Sequence, residues 1–464
     1  MNILLIGNGF DLAHGLPTKY TDFLLFSKIV LNIIEESHIG HLIPKDDRGY
    51  KNWVKKDDEM PLVDGDTIIK IGIVLRSNGI SNRDKEICER MIYDYFLFNF
   101  SKEKNNQIIV KELSYLIYNN NWIEYFLQCD MHGEENWIDF ESEISAIIQS
   151  LEDDLYYSLS KQNCYSRVVQ INNKFFNDKF TNNVPQYLQA NTVEEQEKVR
   201  KPEISYKELR DILLADLNKL IRAFEIYLCD YVEKIEVQKK SPDIEGLEID
   251  YILSFNYTHT YSHLYEIGAR IEEPDVDPFD YIHGETYISR EIEYNNMVLG
   301  IDESLPDNRK NTDIEFIAFK KYYQRIFKQT GCKYKNWVRE IQRNYCMALQ
   351  NETNFMNMMK MAYNQKDHED MWNWYVAAML NDQNKNIIHN LYIFGHSLDI
   401  TDRDTLRDLI LNDNVRTTIF YPNREELGRK IANLVKVIGQ EELVRRTGGK
   451  RKTIEFKPQK PMNQ

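Results

Sequence analysis

One short apolar run opens this chain, Met1 to Ile6 (MNILLI), and five others lie beyond residue 250. Those five are Tyr251 to Phe255, Asp280 to His283, Met297 to Ile301, Leu391 to Gly395 and Arg416 to Tyr421. Short apolar runs bounded by turn signals read as buried strands. Separated by helical patterns, they predict a parallel sheet covered on both faces. The first strand must then cross a long insertion to rejoin its partners. The expected class is an α/β, Rossmann-like parallel-sheet domain, discontinuous in sequence, with large α-helical insertions. The expected sheet domain takes residues 1–40, 246–310 and 385–445. Helical insertions are expected at 41–245 and 311–384, and a basic C-terminal tail at 446–464.

The insertions read as helix because apolar residues recur at spacings of three and four over Ile108 to Cys129, Phe140 to Leu159 and Tyr206 to Val237. Leu209, Leu213, Leu217, Leu220, Ile221 and Phe224 make one such stripe, the mark of packing between helices. Lys19 to Ile34 and the Met-, Tyr- and Trp-rich stretch Ile314 to Leu380 also have a helical pattern, whereas Pro44 to Asp66 and Thr181 to Pro202 read as loops. Only 19 glycines and 12 prolines among 464 residues fit a helix-rich body. A net charge of -15 argues against bulk attraction to nucleic acid or anionic membrane, and leaves the basic tail (RRTGGKRK) as the one place for nucleic acid to bind. Six scattered cysteines without a C-x-x-C pair exclude a zinc ribbon and a disulfide framework. The chain has no long apolar stretch and no leader-like start, so no membrane association is expected and the cytoplasm is the expected location.

In helix-covered parallel sheets ligands bind beyond the carboxyl ends of the strands, so the residues after each run deserve scrutiny. After the first comes Gly7-Asn8-Gly9-Phe10-Asp11, with Gly15 and Pro17 further on. Close glycines let main-chain N–H groups face a phosphate, or merely make a tight turn. After the second stands Asn256, whose amide either holds a ribose hydroxyl or a water, or caps a turn. The third gives His283-Gly284, a general base or a structural histidine. The fourth leads into Gly395-His396-Ser397-Leu398-Asp399. His259 and His263 share a helical face, but Thr260 occupies the Glu position of a zinc-protease motif, and no zinc is expected. Asp139 and Glu141, in Trp137-Ile138-Asp139-Phe140-Glu141, are either carboxylates at a helix N-terminus or ligands for a catalytic metal.

These segments together resemble the bacterial abortive-infection AbiH family, marked by a strand leading into G-N-G-F-D-L-x-H-G-L-P, here Gly7 to Pro17. Trp137 to Glu141, Ser254 to Thr258, Ile282 to Gly284 and Gly395 to Leu398 resemble the family in the same order. The resemblance implies a role in phage defence, with a phage-derived trigger. A second resemblance is to sirtuin-like NAD-binding domains, which begin G-A-G-x-S-x-x-x-G-I-P. Gly7, Gly9, Gly15, Leu16 and Pro17 fall at the same offsets, with Asp11 in the Ser position. Asn256 matches the Asn of T-x-N-x-D, whereas Thr258 replaces its Asp. His283-Gly284 matches the catalytic H-G dipeptide, Gly300 to Pro306 a longer version of the G-E-x-L-P turn, and Gly395 to Leu398 the G-x-S-L near the adenosine. The cysteines of a deacylase zinc module are missing between His283 and Gly300.

What this second resemblance implies is an NAD glycohydrolase with Asn256 and His283 catalytic and no cofactor beyond NAD, its substrate. NAD or a related nucleotide would contact Gly7, Asn8, Gly9, Phe10, Asp11 and Gly15 in the first turn, then Thr258 and Gly300, then Gly395, His396, Ser397 and Asp399. A homo-oligomer is compatible with it. Two alternatives stay open: a non-catalytic nucleotide sensor acting through a partner, and a metal-dependent nuclease built on Asp139, Glu141 and Asp399.

Overall fold

The computed structural model describes the whole chain except residues 57–59, 78–79, 104–105, 131–138, 161–172, 181–203, 266–276, 288–294, 303–304, 306–308, 310–312, 366–387, 450–451 and 464. Six strands form one wholly parallel sheet: β1 (Asn2–Ile6), β2 (Tyr251–Ser254), β3 (Phe279–Tyr281), β4 (His389–Phe394), β5 (Val415–Tyr421) and β6 (Ile454–Pro458). Their order is β3-β2-β1-β4-β5-β6, that of doubly wound nucleotide-binding sheets. The α/β class expected from the apolar runs is the one observed.

Strand β1 lies at the centre, with Leu4 opposite Ile252 on one side and Tyr392 on the other. Its continuous apolar run follows from burial on both faces. Ile3 and Leu5 join Leu253, Leu391, Ile393, Val415 and Ile419 in one layer, packed by Trp337, Val338 and Ile341 of the helix Tyr334–Gln365 and by Leu434 and Val437 of the helix Arg424–Ile438. Leu4 and Ile6 face the other layer, with Ile252, Phe394 and Phe420 beneath Phe10, Ile244, Tyr261 and Tyr265. Each fully buried aliphatic side chain contributes about 1.5–3 kcal/mol, and the two layers fix the strand register.

Two compact units account for the chain: Met1–Leu16, Val237–Gly284 and Thr330–Gln464 form the sheet unit, and Pro17–Glu236 with Glu285–Gln329 form a helical unit. The first boundary falls at Leu16 instead of near residue 40, because Phe23 and Phe26 of the helix Tyr20–Glu36 pack on Phe224 and Tyr227 within the helical unit. The expected second insertion is divided as well. Residues 285–329 belong to the helical unit, and the helix Tyr334–Gln365 covers the sheet.

Several expectations need correction. The run Met297 to Ile301 is not a sheet strand: Ile301 makes one isolated parallel bridge with Lys320, and Met297, Val298 and Leu299 are buried in the helical unit. The expected basic tail supplies β6, pairing Thr417 with Ile454 and Ile419 with Phe456. Its alternation of apolar and charged residues is that of an edge strand with one covered face. Arg445 and Arg446 pair with Glu442 and Asp413, so their charges are balanced internally; Lys450 and Arg451 lie outside the described residues. The Pro44 to Asp66 loop contains a helix, Asp47–Val54, whose first turn is capped by Asp46 accepting from the Gly49 N–H. Ile108 to Cys129 is two helices, Gln107–Ile117 and Asn121–Asp130, separated at Asn119, which has a φ of +59°. Tyr206 to Val237 is helical to Ile226 and then widens into a π turn over Tyr227–Tyr231. The Thr181 to Pro202 stretch and residues 366–380 of the expected later helix lie outside the described residues. Among the described residues no helix is long and apolar enough to cross a membrane.

The side chain of Ile454 is 2% exposed within the sheet's core layer. Ile454→Ala is expected to lower the unfolding free energy by about 2–5 kcal/mol, the range for deleting a buried aliphatic side chain. Denaturant titration checks this, and an unchanged midpoint would mean that β6 adds nothing to the sheet.

Candidate functional site at the strand ends

The helix Asn8–Ala13 starts directly after β1, and its glycines have a packing explanation. A Cβ on Gly9 would lie 2.7 Å from the Gly395 carbonyl oxygen, and one on Gly395 would lie 2.1 Å from the Phe10 nitrogen. Gly395 also has a φ of +71°, which glycine adopts without strain. The turns after β1 and β4 are thus in backbone contact. The N–H of Gly9 donates to the Gly395 carbonyl at 2.8 Å, and that of Gly7 to the Phe394 carbonyl at 3.2 Å. This corrects the expectation that these two N–H groups face a phosphate, since both are occupied within the protein. Phe10 is corrected too: it is fully buried against Tyr261, Tyr265 and Phe394 as a core residue. Gly15, at φ +82°, closes the turn after the short helix, and Asn8 is exposed at its start.

His14 pins this segment. Its Nδ1 lies 2.7 Å from the Phe10 carbonyl oxygen, an acceptor only, so Nδ1 carries the proton and Nε2 accepts from the Tyr265 hydroxyl at 2.8 Å. The Tyr265 oxygen in turn accepts from the Ser241 N–H. That network has room for a neutral ring only, and burial lowers the His14 pKa, opposed by the Phe10 hydrogen bond.

Asp11, in the Ser position of the sirtuin-like pattern, and Thr258, in its Asp position, meet each other. The Thr258 hydroxyl donates to Asp11 Oδ2 at 2.6 Å, and Thr260 donates to Thr258 Oγ1 at 3.1 Å. All three are buried. The carboxylate and the hydroxyl thus tie the turn after β1 to the turn after β2.

Asn256 and His283 end neighbouring strands at the same level. Ser254 pairs with Tyr281, the Ile282 N–H donates to the Ser254 carbonyl, and each candidate lies two residues beyond its paired residue. The Ser254 hydroxyl accepts from the Asn256 N–H at 3.1 Å and shapes the turn. The Asn256 side chain is 4% exposed, yet neither Oδ1 nor Nδ2 has a hydrogen-bond partner. Nδ1 of His283 also has none, while its Nε2 lies 3.5 Å from Asp402 Oδ1. The other oxygen of Asp402, Oδ2, lies 3.3 Å from Nε2 of His396. The ring of Phe255 sits edge-on to both imidazoles, with centroids 5.5 Å and 4.3 Å away.

The turn after β4 is held from behind. His396 Nδ1 accepts from the Leu398 N–H at 2.9 Å, and Leu398 has a φ of +61°. Buried Lys430 donates to the His396 carbonyl, its ammonium pushed down to about 8 by burial, and Asn433 donates to the Ser397 carbonyl. Ser397 is exposed, and Asp399 caps a short 3-10 turn through the Thr401 N–H. Sequence reasoning missed Asp402 and Lys430, which reach the strand ends from neighbouring helical segments and carry no motif.

Other candidates stand apart. Gly300 belongs to the helical unit, where a Cβ would lie 2.7 Å from the Phe319 carbonyl oxygen; part of the Gly300 to Pro306 turn lies outside the described residues. Asp139 caps the helix Phe140–Ser160 by accepting from the Glu141 N–H and the Ser142 hydroxyl, and Glu141 pairs with Lys321 at 2.7 Å. Trp137 and Ile138 lie outside the described residues. Among the described residues no group of three or more His, Cys, Asp or Glu is arranged to hold a metal ion.

The unfolded protein binds a proton on His14 near pH 6.5, while the folded protein resists it, so stability falls as pH drops below that value. His14→Gln is expected to lose about 1–3 kcal/mol at pH 7.5. Its further loss between pH 7 and 5 should be smaller than that of the unaltered protein, and parallel unfolding curves for the two would refute this assignment.

No curated protein and no solved structure matches the chain. A family model described as bacteriophage abortive infection AbiH matches residues 3–421, a span that includes every strand-end residue from Gly7 to Asp402. The chain therefore belongs to the bacteriophage abortive infection AbiH family.

Proposed function

We infer that the protein takes part in bacterial abortive infection directed against phage, the role that its family membership supports. We propose that it acts by binding NAD at the strand ends of the parallel sheet and hydrolysing the nicotinamide N-glycosidic bond. The observation that carries this reading is the buried, unpartnered carboxamide of Asn256 beside the unpartnered Nδ1 of His283. A buried amide left without partners costs about 1–3 kcal/mol, and such groups in folded proteins call for a ligand or a bound water. The strand order supports a nucleotide at this place by analogy of fold.

The chemistry asks little of the protein. Nicotinamide leaves as a neutral base from a cationic pyridinium, so the leaving group needs no acid. Water adds to the ribose carbon as the C–N bond breaks, and one water proton must be taken up. Asn256 orients a ribose hydroxyl or that water through its two amide groups, and His283 Nδ1 accepts the proton, giving ADP-ribose and nicotinamide. Asp11 and Thr258 support the Asn256 turn from below. The N–H groups of Gly7 and Gly9 have no part in holding the pyrophosphate, being occupied by the turn after β4.

Purified protein incubated with NAD, with and without phage lysate, is expected to release free nicotinamide in at least one condition. Binding of NAD without release would support a nucleotide sensor in its place, and magnesium-dependent damage to nucleic acid a nuclease. Asn256→Ala and His283→Ala are each expected to reduce release by about 10²- to 10⁴-fold, the usual contribution of a positioned base. For Asn256→Ala the unfolding free energy should change by no more than about 1 kcal/mol, since the lost amide had no partner. Full activity in both variants would remove the proposal.

A further inference from the structure

We infer that Asp402 and His396 form a positioning pair that fixes the tautomer and orientation of His283, so that Nδ1 is the nitrogen available to accept a proton. This rests on the hydrolytic reading of the site for its functional meaning, but its structural content stands alone. The chain of contacts begins at the backbone. The Leu398 N–H can only donate, so His396 Nδ1 accepts it and the ring proton of His396 sits on Nε2. That N–H faces Asp402 Oδ2 at 3.3 Å. An ionised carboxylate is an acceptor at both oxygens, so Oδ1, 3.5 Å from His283 Nε2, selects the tautomer of His283 with its proton on Nε2. The lone pair then lies on Nδ1, the buried nitrogen without a partner. The 3.5 Å separation is looser than a hydrogen bond, as such contacts often are before substrate binds.

The geometry also explains the tight hold on the turn after β4. Lys430 and Asn433 grip the His396 and Ser397 carbonyls from the helix Arg424–Ile438, so His396 presents Nε2 to Asp402 from a fixed position. A metal bridging the two imidazoles is disfavoured by the same bond, because His396 Nε2 already carries hydrogen. Asp402 touches no reacting atom in this scheme and acts through His283.

Asp402→Asn is the decisive variant. A carboxamide offers one acceptor and one donor, so it cannot accept from both Nε2–H groups, and one imidazole must change. In the full-length protein labelled with ¹⁵N-histidine, long-range proton–nitrogen correlation spectra report which ring nitrogen carries the proton. The His283 signals are assigned by their loss in His283→Gln. The expected result is Nε2–H for His283 and His396 in the unaltered protein. In Asp402→Asn, and in Asp402→Ala as a second variant, His283 should pass to Nδ1–H or a mixture. Nicotinamide release by Asp402→Asn should fall between about 10²- and 10⁴-fold in kcat with KM little changed. A His283 tautomer that is Nδ1–H at the outset, or that is the same in both variants as in the unaltered protein, overturns the inference. If the tautomer behaves as expected while the unaltered protein releases no nicotinamide, the positioning pair stands and the hydrolytic reading falls.

Discussion

The contact between the turns after β1 and β4 governs the rest of the sheet unit. Gly9 and Gly395 bring two backbones close enough for an N–H to meet a carbonyl directly, with no space for a Cβ on either side. This happens between β1 and β4, where the strand order reverses and doubly wound sheets usually open a crevice. Closing that point draws Phe10 into the aromatic layer and turns Asp11 toward Thr258. Among the buried polar groups without a hydrogen-bond partner, the Asn256 amide and the His283 Nδ1 lie on the β2 and β3 side of the closure. One backbone hydrogen bond thus separates the packed side of the strand ends from the side that carries Asn256 and His283.

The side that carries Asn256 and His283 has a physical character of its own. Two imidazole nitrogens lie 3.5 and 3.3 Å from the Asp402 carboxylate, and Phe255 packs steeply tilted against both rings. Within the helical unit buried charge is handled differently: Arg222 is matched by Glu112 and Glu225, and Lys320 by Glu152, each in direct contact. There each buried charge meets a partner of opposite sign, whereas the Asn256 amide and the His283 Nδ1 are neutral groups without a hydrogen-bond partner.

Much of the sheet was legible because β1, β2 and the later parts of β4 and β5 are buried on both faces and so appear as short apolar runs. Strand β6 was hidden because only one of its faces is covered, leaving Glu455 and Lys457 to break the pattern. Met297 to Ile301 misled for the opposite reason: burial in the helical unit makes an apolar run without a sheet. Asn256 and His283 were visible as polar residues following apolar strands. Asp402 was not, since its meaning comes from two histidines distant in sequence that a fold must first bring together. The glycines were noticed for the right reason, close approach, but the group approaching them is the chain's own backbone. The contact between Asp11 and Thr258 was not legible, since it joins residues distant in sequence.

The central place of β1 has a consequence for synthesis. Its neighbours β2 and β4 begin at Tyr251 and His389, and the Lys430 that braces the turn after β4 comes later still. At ribosomal rates of about 5–20 residues per second, roughly 20–80 seconds pass between the emergence of β1 and that of β4. Through that interval a nascent chain has Asn256 and His283 at most, without the closed turn contact or the Asp402 carboxylate. The strand-end residues are thus brought together last, only after β4 and the segment that carries Asp402 have emerged.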